Sequence, residues 1–299
     1  MSENNKTAQA HEFSADTLVA LTGATGGLGK ELCRMLLQRG AALVLLDRNA
    51  EKSAKLHQQL TDEFPNARIM HIIVDLERIE QVRSAVEKLK KMPVSVFIHN
   101  AGAYSIPRYK CSTGFDNVFQ INFVSPYYMI RELLPHLKQQ PNAKVIAVGS
   151  IAHNYSHIDT DDIDFSSRKA ASKVYGNAKR YLMFSLYELF AKESGVSLSI
   201  VHPGITLTNI TAHYPKLIFA LIKYPMKVIF MSPRRAALSL IQGVWDACGY
   251  REWIGPRFFN IWGLPKKSRL NTCSEEESRR IGQIAEDIYR RLVSCGKPQ

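Results

Sequence analysis

From residue 17 onward, continuous apolar runs alternate with segments of helical period, and this alternation restricts the fold more than any other feature of the chain. The runs are 17-TLVALT-22, 41-AALVLLD-47, 67-ARIMHIIVD-75, 94-VSVFIHN-100, 143-AKVIAVGS-150 and 196-VSLSIVHP-203. They are apolar at nearly every position rather than every second one, as parallel strands covered on both faces require. Helix-like segments lie between them near 27–39, 50–62, 78–91, 113–134 and 170–193. Strand and helix in strict turn, with short connections, predict an α/β fold with a doubly wound parallel sheet flanked by helices.

After residue 204 the alternation lapses. Helical pieces near 209–230 and 233–248, a short strand-like REWIGP and a terminal helix near 275–293 follow. No repeat or Pro/Gly-rich linker divides the chain, and 299 residues suffice for one large core. The expected organisation is a loose polar arm over 1–16 and a single domain over 17–299 with an elaborated C-terminal third.

Charge and cysteine usage narrow the classes of function. A net charge of +12 suits an anionic partner, but the basic residues are spread along the chain with no nucleic-acid motif among them, so no nucleic acid is expected. Five scattered cysteines without a C-x-x-C pair argue against a disulfide framework and a zinc cluster, and point to reduced thiols in a cytoplasmic compartment. The start reads as no signal peptide. The most apolar piece, 217-LIFALIKYPMKVIFM-231, is broken by Lys223, Pro225 and Lys227, short of the roughly 18 apolar residues of a spanning helix.

The first run leads into 22-TGATGGLGK-30 and then into the helical pattern ELCRMLLQRG. Gly23, Gly27 and Gly29 therefore stand between a strand and a helix. Glycines there let the backbone turn tightly and let a pyrophosphate approach a helix N-terminus, whose N–H groups favour anions. That context makes the pattern a Rossmann-like dinucleotide loop. Asp47 ends the second run some 20 residues on, where a carboxylate accepts bonds from the adenosine ribose and repels a 2′-phosphate. NAD is favoured on that ground. Arg48 follows at once and is the group that would admit NADP. Asp75 is placed to meet the adenine edge or to cap the next helix.

Tyr175 and Lys179 stand four apart in 175-YGNAK-179, one turn along a helix face. A free phenol titrates near 10, and lowering it by about three units takes roughly 4 kcal/mol. One ammonium about 4 Å away supplies on the order of 4 kcal/mol at an effective dielectric of 20. The spacing is thus suited to tuning a phenol for proton transfer. A plain solvated face is the competing reading for these five residues.

TGATGGLG, 100-NAG-102, Asn122 in VFQINF, Ser150 in AVGS, YGNAK and 202-HPGITLT-208 occur in an order that resembles the short-chain dehydrogenase/reductase family over about residues 17–210. GFDNVFQIN, the HPG step and the long Ser150-to-Tyr175 separation resemble its retinol-dehydrogenase-like branch. The resemblance implies Tyr175 as general acid/base, Lys179 as its electrostatic partner and ribose ligand, Ser150 holding the substrate oxygen, and Asn122 supporting a water that leads from Lys179 to solvent. It implies a cofactor set of Gly23, Thr25, Gly27, Leu28, Gly29, Asp47, Arg48, Asp75, Leu76, Asn100, Gly102 and Thr208, with Tyr175 and Lys179. Without it, Asn122 reads as a core amide and Ser150 as a strand end.

The expected activity is NAD(P)-dependent interconversion of a small-molecule alcohol and its ketone or aldehyde. Its rivals are a catalytically silent NAD(P)-sensing protein and a membrane-surface protein. In the family, the segment after the PG step covers the substrate. Here residues 205–231 are rich in Leu, Ile, Val and Phe with Lys216, Lys223 and Lys227 interspersed, which favours a bulky apolar substrate or a peripheral membrane contact. His153 and His157 have the spacing of a metal pair but no third ligand nearby, and are expected in a loop or the substrate pocket, with no metal. The helix carrying YLMFSLYELFA is apolar nearly all round, so both faces are buried. A partner subunit in a homodimer or homotetramer would cover the outer face. The alternative cover is the terminal helix, whose Ile281, Ile284, Ile288 and Leu292 form a stripe.

Overall fold

The computed structural model describes residues 12–14, 17–205 and 231–295. Six of the continuous apolar runs become parallel strands: β1 (Leu18–Thr22), β2 (Ala42–Asp47), β3 (Ile69–Ile73), β4 (Val94–His99), β5 (Lys144–Val148) and β6 (Ser197–Val201). Two further strands, β7 (Glu252–Phe258) and β8 (Trp262–Arg269), complete one sheet of order β3-β2-β1-β4-β5-β6-β7-β8. Only the β7–β8 pairing is antiparallel. The chain leaves β1 toward one edge and returns to β4 on its other side, so a crevice opens at the carboxyl ends of β1 and β4.

Helices cover both faces. Helices α1 (Gly27–Leu37), α2 (Ala50–Glu63) and α7 (Pro233–Trp245) pack on one side around Leu32, Leu36, Leu56, Leu240 and the sheet residues Val19, Leu43 and Ile146. Helices α3 (Ile79–Leu89), α4 (Asn117–Phe119), α5 (Ser125–Leu137), α6 (Ala171–Phe190) and α8 (Glu275–Ser294) pack on the other, around Phe97, Phe119, Phe123, Tyr181 and Phe184. The doubly wound architecture expected from the apolar runs is the one observed.

Several local readings are corrected. The helix expected from residue 113 begins at Asn117, and α4 continues through a π-helical turn, Gln120–Val124, before α5. A π turn inserts one residue into the helical repeat and commonly marks a functional site; Asn122 is at its centre. β8 has no counterpart among the expected strands, because WGLPKKSR contains Gly263 and Pro265 and reads as a loop. Residues 12–14 of the expected loose arm are tied down: the Phe13 N–H donates to the Arg39 carbonyl (2.9 Å) and its ring packs on Trp245 at 4.5 Å.

The outer face of α6 is covered by α8 of the same chain, not left for a partner subunit. Ile281, Ile288 and Leu292 are buried in the same core as Tyr181, Phe184 and Tyr187. Ser274 caps α8 by accepting from the Glu277 N–H at 3.1 Å, with acidic Glu275, Glu276 and Glu277 in the first turn. The Glu277 carboxylate reaches away to Arg180, giving a bidentate pair at 2.8 and 2.6 Å that pins α8 to α6.

Candidate active site

The glycine loop is shaped by close approach. A Cβ on Gly29 would stand 2.2 Å from the Gly23 carbonyl oxygen, and one on Gly23 (φ +71°) would stand 2.9 Å from the Ala101 Cα. No side chain fits at either position, so the first turn of α1 lies directly against the loop. Gly27 and Leu28 open that helix, and Gly26 precedes it without a side-chain cap. The loop is held from below by Asn100, whose Nδ2 donates to the carbonyls of Thr22 (3.1 Å) and Gly23 (3.0 Å).

Asp47, only 2% exposed, faces the loop from the end of β2. Its Oδ1 accepts from both the N–H and the hydroxyl of Thr25 at 2.9 Å, leaving Oδ2 with a long contact to Ser53 at 3.5 Å. Burial raises the Asp47 pKa against the pull of those bonds. Arg48 is exposed and lies 3.9 Å from Glu77, a weak surface pair that leaves the guanidinium free to turn. Asp75 Oδ1 accepts from the Glu77 N–H at 3.1 Å, closing a turn ahead of α3, while Leu76 is buried beside it. These residues form a cradle that suits a dinucleotide: backbone at a helix N-terminus, a carboxylate on the β2 end, and open space where a Cβ would intrude.

Tyr175 and Lys179 point from the first half of α6 toward the ends of β4 and β5. The phenol is within hydrogen-bonding reach of the Ser150 hydroxyl, and Tyr104 packs edge-on to its ring at 5.3 Å. Gly176 makes the arrangement feasible: a Cβ there would stand 2.2 Å from the Ala152 carbonyl oxygen. The helix therefore packs directly on the 3-10 turn Ile151–Tyr155 that follows Ser150. Gly176 is absent from the expected site residues, although a glycine inside a helix is itself a signal of close backbone approach.

The electrostatics differ from the simple ion–phenol picture. Lys179 is 1% exposed, its Nζ donates to the Val148 carbonyl at 2.9 Å, and it lies 5.7 Å from the Tyr175 ring centre. Among the described residues no carboxylate pairs with it, and burial lowers its pKa to about 7. Burial likewise pushes the Tyr175 phenol up to about 12, opposed by the Ser150 hydrogen bond. Burial sets the direction of both shifts, so the one-turn spacing does not by itself make the tyrosine acidic.

Asn122 is fully buried. Its Nδ2 donates to the Ala103 and Val118 carbonyls at 2.8 Å, and its Oδ1 accepts from the Ala103 N–H at 3.3 Å. A Cβ on Gly102 would stand 2.9 Å from that oxygen and 3.7 Å from Lys179 Nζ. The loop after β4, the π turn and the lysine are thereby brought together. His99 and Thr22 belong to the same cluster and carry no motif that would single them out in the sequence. The Thr22 hydroxyl accepts from the Asn100 and Ala101 N–H groups at 3.1 Å, so its own hydrogen goes to His99 Nδ1, also 3.1 Å away. The His99 pKa is lowered by burial and by Lys179.

Other expected positions fall elsewhere. Thr208 and the lid residues 206–230 lie outside the described residues. His153 is wholly buried, with Nδ1 2.6 Å from the Ser150 carbonyl and Nε2 2.7 Å from the Thr272 hydroxyl. His157 is exposed. Among the described residues no group of three His, Cys, Asp or Glu is placed to hold a metal ion. A cavity of about 940 Å³ opens at the opposite, amino end of the sheet, lined by Thr17, Arg68, Ser95, Asn142, Lys144 and Trp245. It brings together no hydroxyl–phenol–amine set.

Comparison with known proteins agrees with this geometry. A family model described as short chain dehydrogenase matches residues 17–216. Short-chain dehydrogenase TIC 32 A, chloroplastic, of Brassica napus is 30% identical over 218 residues, covering 68% of each chain. Retinol dehydrogenase 13 of Mus musculus is 28% identical over 291 residues, covering 94% of this chain and 86% of its own. A crystal structure of a putative uncharacterized protein from Mycobacterium Paratuberculosis superposes with a TM-score of 0.71 at 21% identity, covering 95% of this chain and 98% of that one, a likeness of fold alone.

Proposed function

This chain belongs to the short-chain dehydrogenase family and is an NAD(P)-dependent oxidoreductase, and from that premise we propose that it interconverts an apolar, lipid-like alcohol and its carbonyl with Tyr175 as general acid/base. The observation that carries this reading is the convergence of Ser150, Tyr175, Lys179 and Asn122 at the carboxyl ends of β4 and β5, beside the glycine loop.

The cradle of Gly23, Thr25, Gly27, Leu28, Gly29 and Asn100 would hold the pyrophosphate end of the cofactor, with Asp47 on the ribose and Asp75 and Leu76 toward the base. When bound, the nicotinamide supplies the hydride acceptor or donor, and its oxidised form adds a positive charge. Ser150 holds the substrate oxygen against the Tyr175 hydroxyl, which takes the proton from an alcohol or returns it to a carbonyl. Lys179 has a pKa near 7, so it gains or loses a proton at neutral pH with little bias, which suits a relay between the phenol and the interior side of the π turn. Asp47 is already committed through Oδ1 to Thr25, and its remaining oxygen favours a ribose hydroxyl over a phosphate; NAD is the preferred cofactor on that ground. An apolar substrate is supported by the apolar sequence over 205–231 and by the likeness to a retinol dehydrogenase.

The test is a screen of short polar and long apolar alcohols and ketones with NAD and NADP, followed at the nicotinamide absorbance. A higher kcat/KM for the long apolar members, lost in Tyr175→Phe with cofactor affinity kept, is the expected result. Equal turnover in Tyr175→Phe removes the assigned mechanism, and a preference for short polar substrates removes the lipid reading. Cofactor binding without turnover on any member would return the sensing alternative.

A further inference from the structure

The β7–β8 hairpin ends in a tip that no part of the catalytic reading uses. Phe258, Phe259, Trp262 and Leu264 are 52%, 83%, 45% and 72% exposed, within seven consecutive residues. Single exposed apolar side chains are ordinary, but four large ones gathered at one protrusion mark an interaction site. Phe258 stands directly opposite Trp262 across the two strands, and Leu264 follows at an irregularity in the pairing.

The backbone at the tip points the same way. The Ile261 N–H donates to the Phe258 carbonyl at 3.0 Å, and Phe259 and Asn260 have φ of 52° and 57°. Two successive positive φ values at the centre of a four-residue turn make a type I′ turn, which prefers Asn or Gly at both positions. Asn260 conforms. Phe259 sets a bulky ring at a left-handed position and leaves it in solvent, unfavourable on both counts.

The two cations nearest the tip, Arg257 and Lys266, are exposed, and residues 253–268 contain no Asp or Glu. Lys267 and Arg269 stand toward the base of the hairpin, where the Lys267 Nζ donates to the Ala247 carbonyl at 2.6 Å and Arg269 lies opposite Glu252. Lysines and a proline on an edge strand also discourage strand addition, which accounts for Pro265 and its neighbours. That role does not account for the exposed aromatics.

The tip faces the same way as the active site. β7 runs parallel to β6, so the turn after it lies at the carboxyl end of the sheet, where Tyr175 acts. A Cβ on Gly204, in the PG step after β6, would stand 2.8 Å from the Ile261 carbonyl oxygen and 3.0 Å from Pro256. The turn is therefore packed against the segment that leads into residues 205–231, whose sequence is likewise apolar and cationic with no acidic residue.

We propose that the β7–β8 tip is a membrane-docking element: Phe258, Phe259, Trp262 and Leu264 enter the interfacial layer of an anionic bilayer while Arg257 and Lys266 engage its headgroups. Aromatic side chains partition to that layer, and each nearby cation is attracted by the negative surface potential. No helix among the described residues is long and apolar enough to cross a membrane, so the association is peripheral. Docking in this orientation sets the mouth of the crevice on the lipid surface. It does not depend on the chain's reaction, so the vesicle and turnover assays fail separately.

The experiment is co-sedimentation of the full chain with vesicles of phosphatidylcholine plus phosphatidylserine, and with phosphatidylcholine alone, at low and high salt. Binding to the anionic vesicles that weakens with salt is expected. Phe259→Asn should weaken it roughly tenfold or more, since burying a Phe side chain is a large term in such binding. The same change should keep or raise Tm, because Asn suits the turn. Trp262→Ser should act in the same direction, and Arg257→Glu with Lys266→Glu should remove the preference for anionic lipid. No binding to anionic vesicles overturns the proposal, as does equal binding by Phe259→Asn and Trp262→Ser. A vesicle-free dimer in sedimentation velocity that these substitutions dissolve would also overturn it, by making a second copy the occupant.

Discussion

Lys179 and Arg180 are consecutive residues of α6, each 1% exposed, and the fold treats them in opposite ways. Lys179 faces the sheet and receives a single backbone carbonyl, that of Val148. Arg180 faces α8 and receives both oxygens of Glu277 and the carbonyls of His153 (3.2 Å) and Thr272 (2.9 Å). Burial pushes the Glu277 carboxyl up, but the Arg180 hydrogen bonds and charge outweigh it and hold it below its ordinary value. A guanidinium cannot be deprotonated and is fully paired, so it fixes structure; an amine left unpaired in the same low dielectric becomes titratable near neutrality. The inner face of α6 thus holds a titratable cation and the outer face a fixed one.

The largest expected effect separates the two faces by activity. Lys179→Met should lower kcat/KM by roughly 10²–10⁴-fold, the range of a lost acid–base function, while stability at neutral pH is kept or raised, because the desolvation of the amine is removed with it. Steady-state kinetics with denaturant unfolding of the same preparation measures both. Retained turnover would mean that the inner cation is no more functional than the outer one.

Arg180→Met should do the converse. Leaving the half-buried Glu277 without its partner costs about 1.5–3 kcal/mol, which for a chain of this size lowers Tm by roughly 5 °C. Adding Glu277→Leu should recover much of that loss, because the stranded charge is then gone. Strictly additive losses in the double-mutant cycle would show that the pair is not a coupled clamp.

The pH dependence of stability separates the two faces again. The Lys179 pKa falls from its ordinary value of 10.5 to about 7 in the folded chain. Between those values the unfolded chain binds the extra proton, so stability rises as pH increases from about 7 toward 10.5. The wild-type protein should show that rise and Lys179→Met should lose it, as read from urea midpoints. Near the outer face, burial lowers His153 from 6.5 to about 4. The unfolded chain then takes up the proton first, so stability is lost as pH falls from about 6.5 toward 4. A His153→Gln variant with an unchanged acid slope would assign that loss to other groups.

Most of the sheet and the outline of the site are legible in the amino-acid sequence. Strands β1 to β6 announce themselves because a strand buried on both faces must be apolar throughout. The glycine loop is readable because its steric demand falls on residues close in sequence, and Tyr175 with Lys179 because one helical turn sets their spacing. Asp47 is readable as a strand end, but its double commitment to Thr25 is not. β8 is hidden because its strand character comes from pairing with β7, against its own Gly263, Pro265 and lysines.

The sequence alone determined the α/β architecture, the loop for a dinucleotide and the order of the reacting residues, since each is written in local periodicity or short-range spacing. Tertiary structure alone decided how those residues behave. Arg180 met Glu277 across 97 positions and Thr22 met His99 across 77, and neither pairing leaves a periodic trace. The choice of α8 over a second subunit to cover α6 was made by packing as well. So was the direction of the Tyr175 and Lys179 shifts, because desolvation depends on what surrounds a group in space, and no spacing along the chain records it.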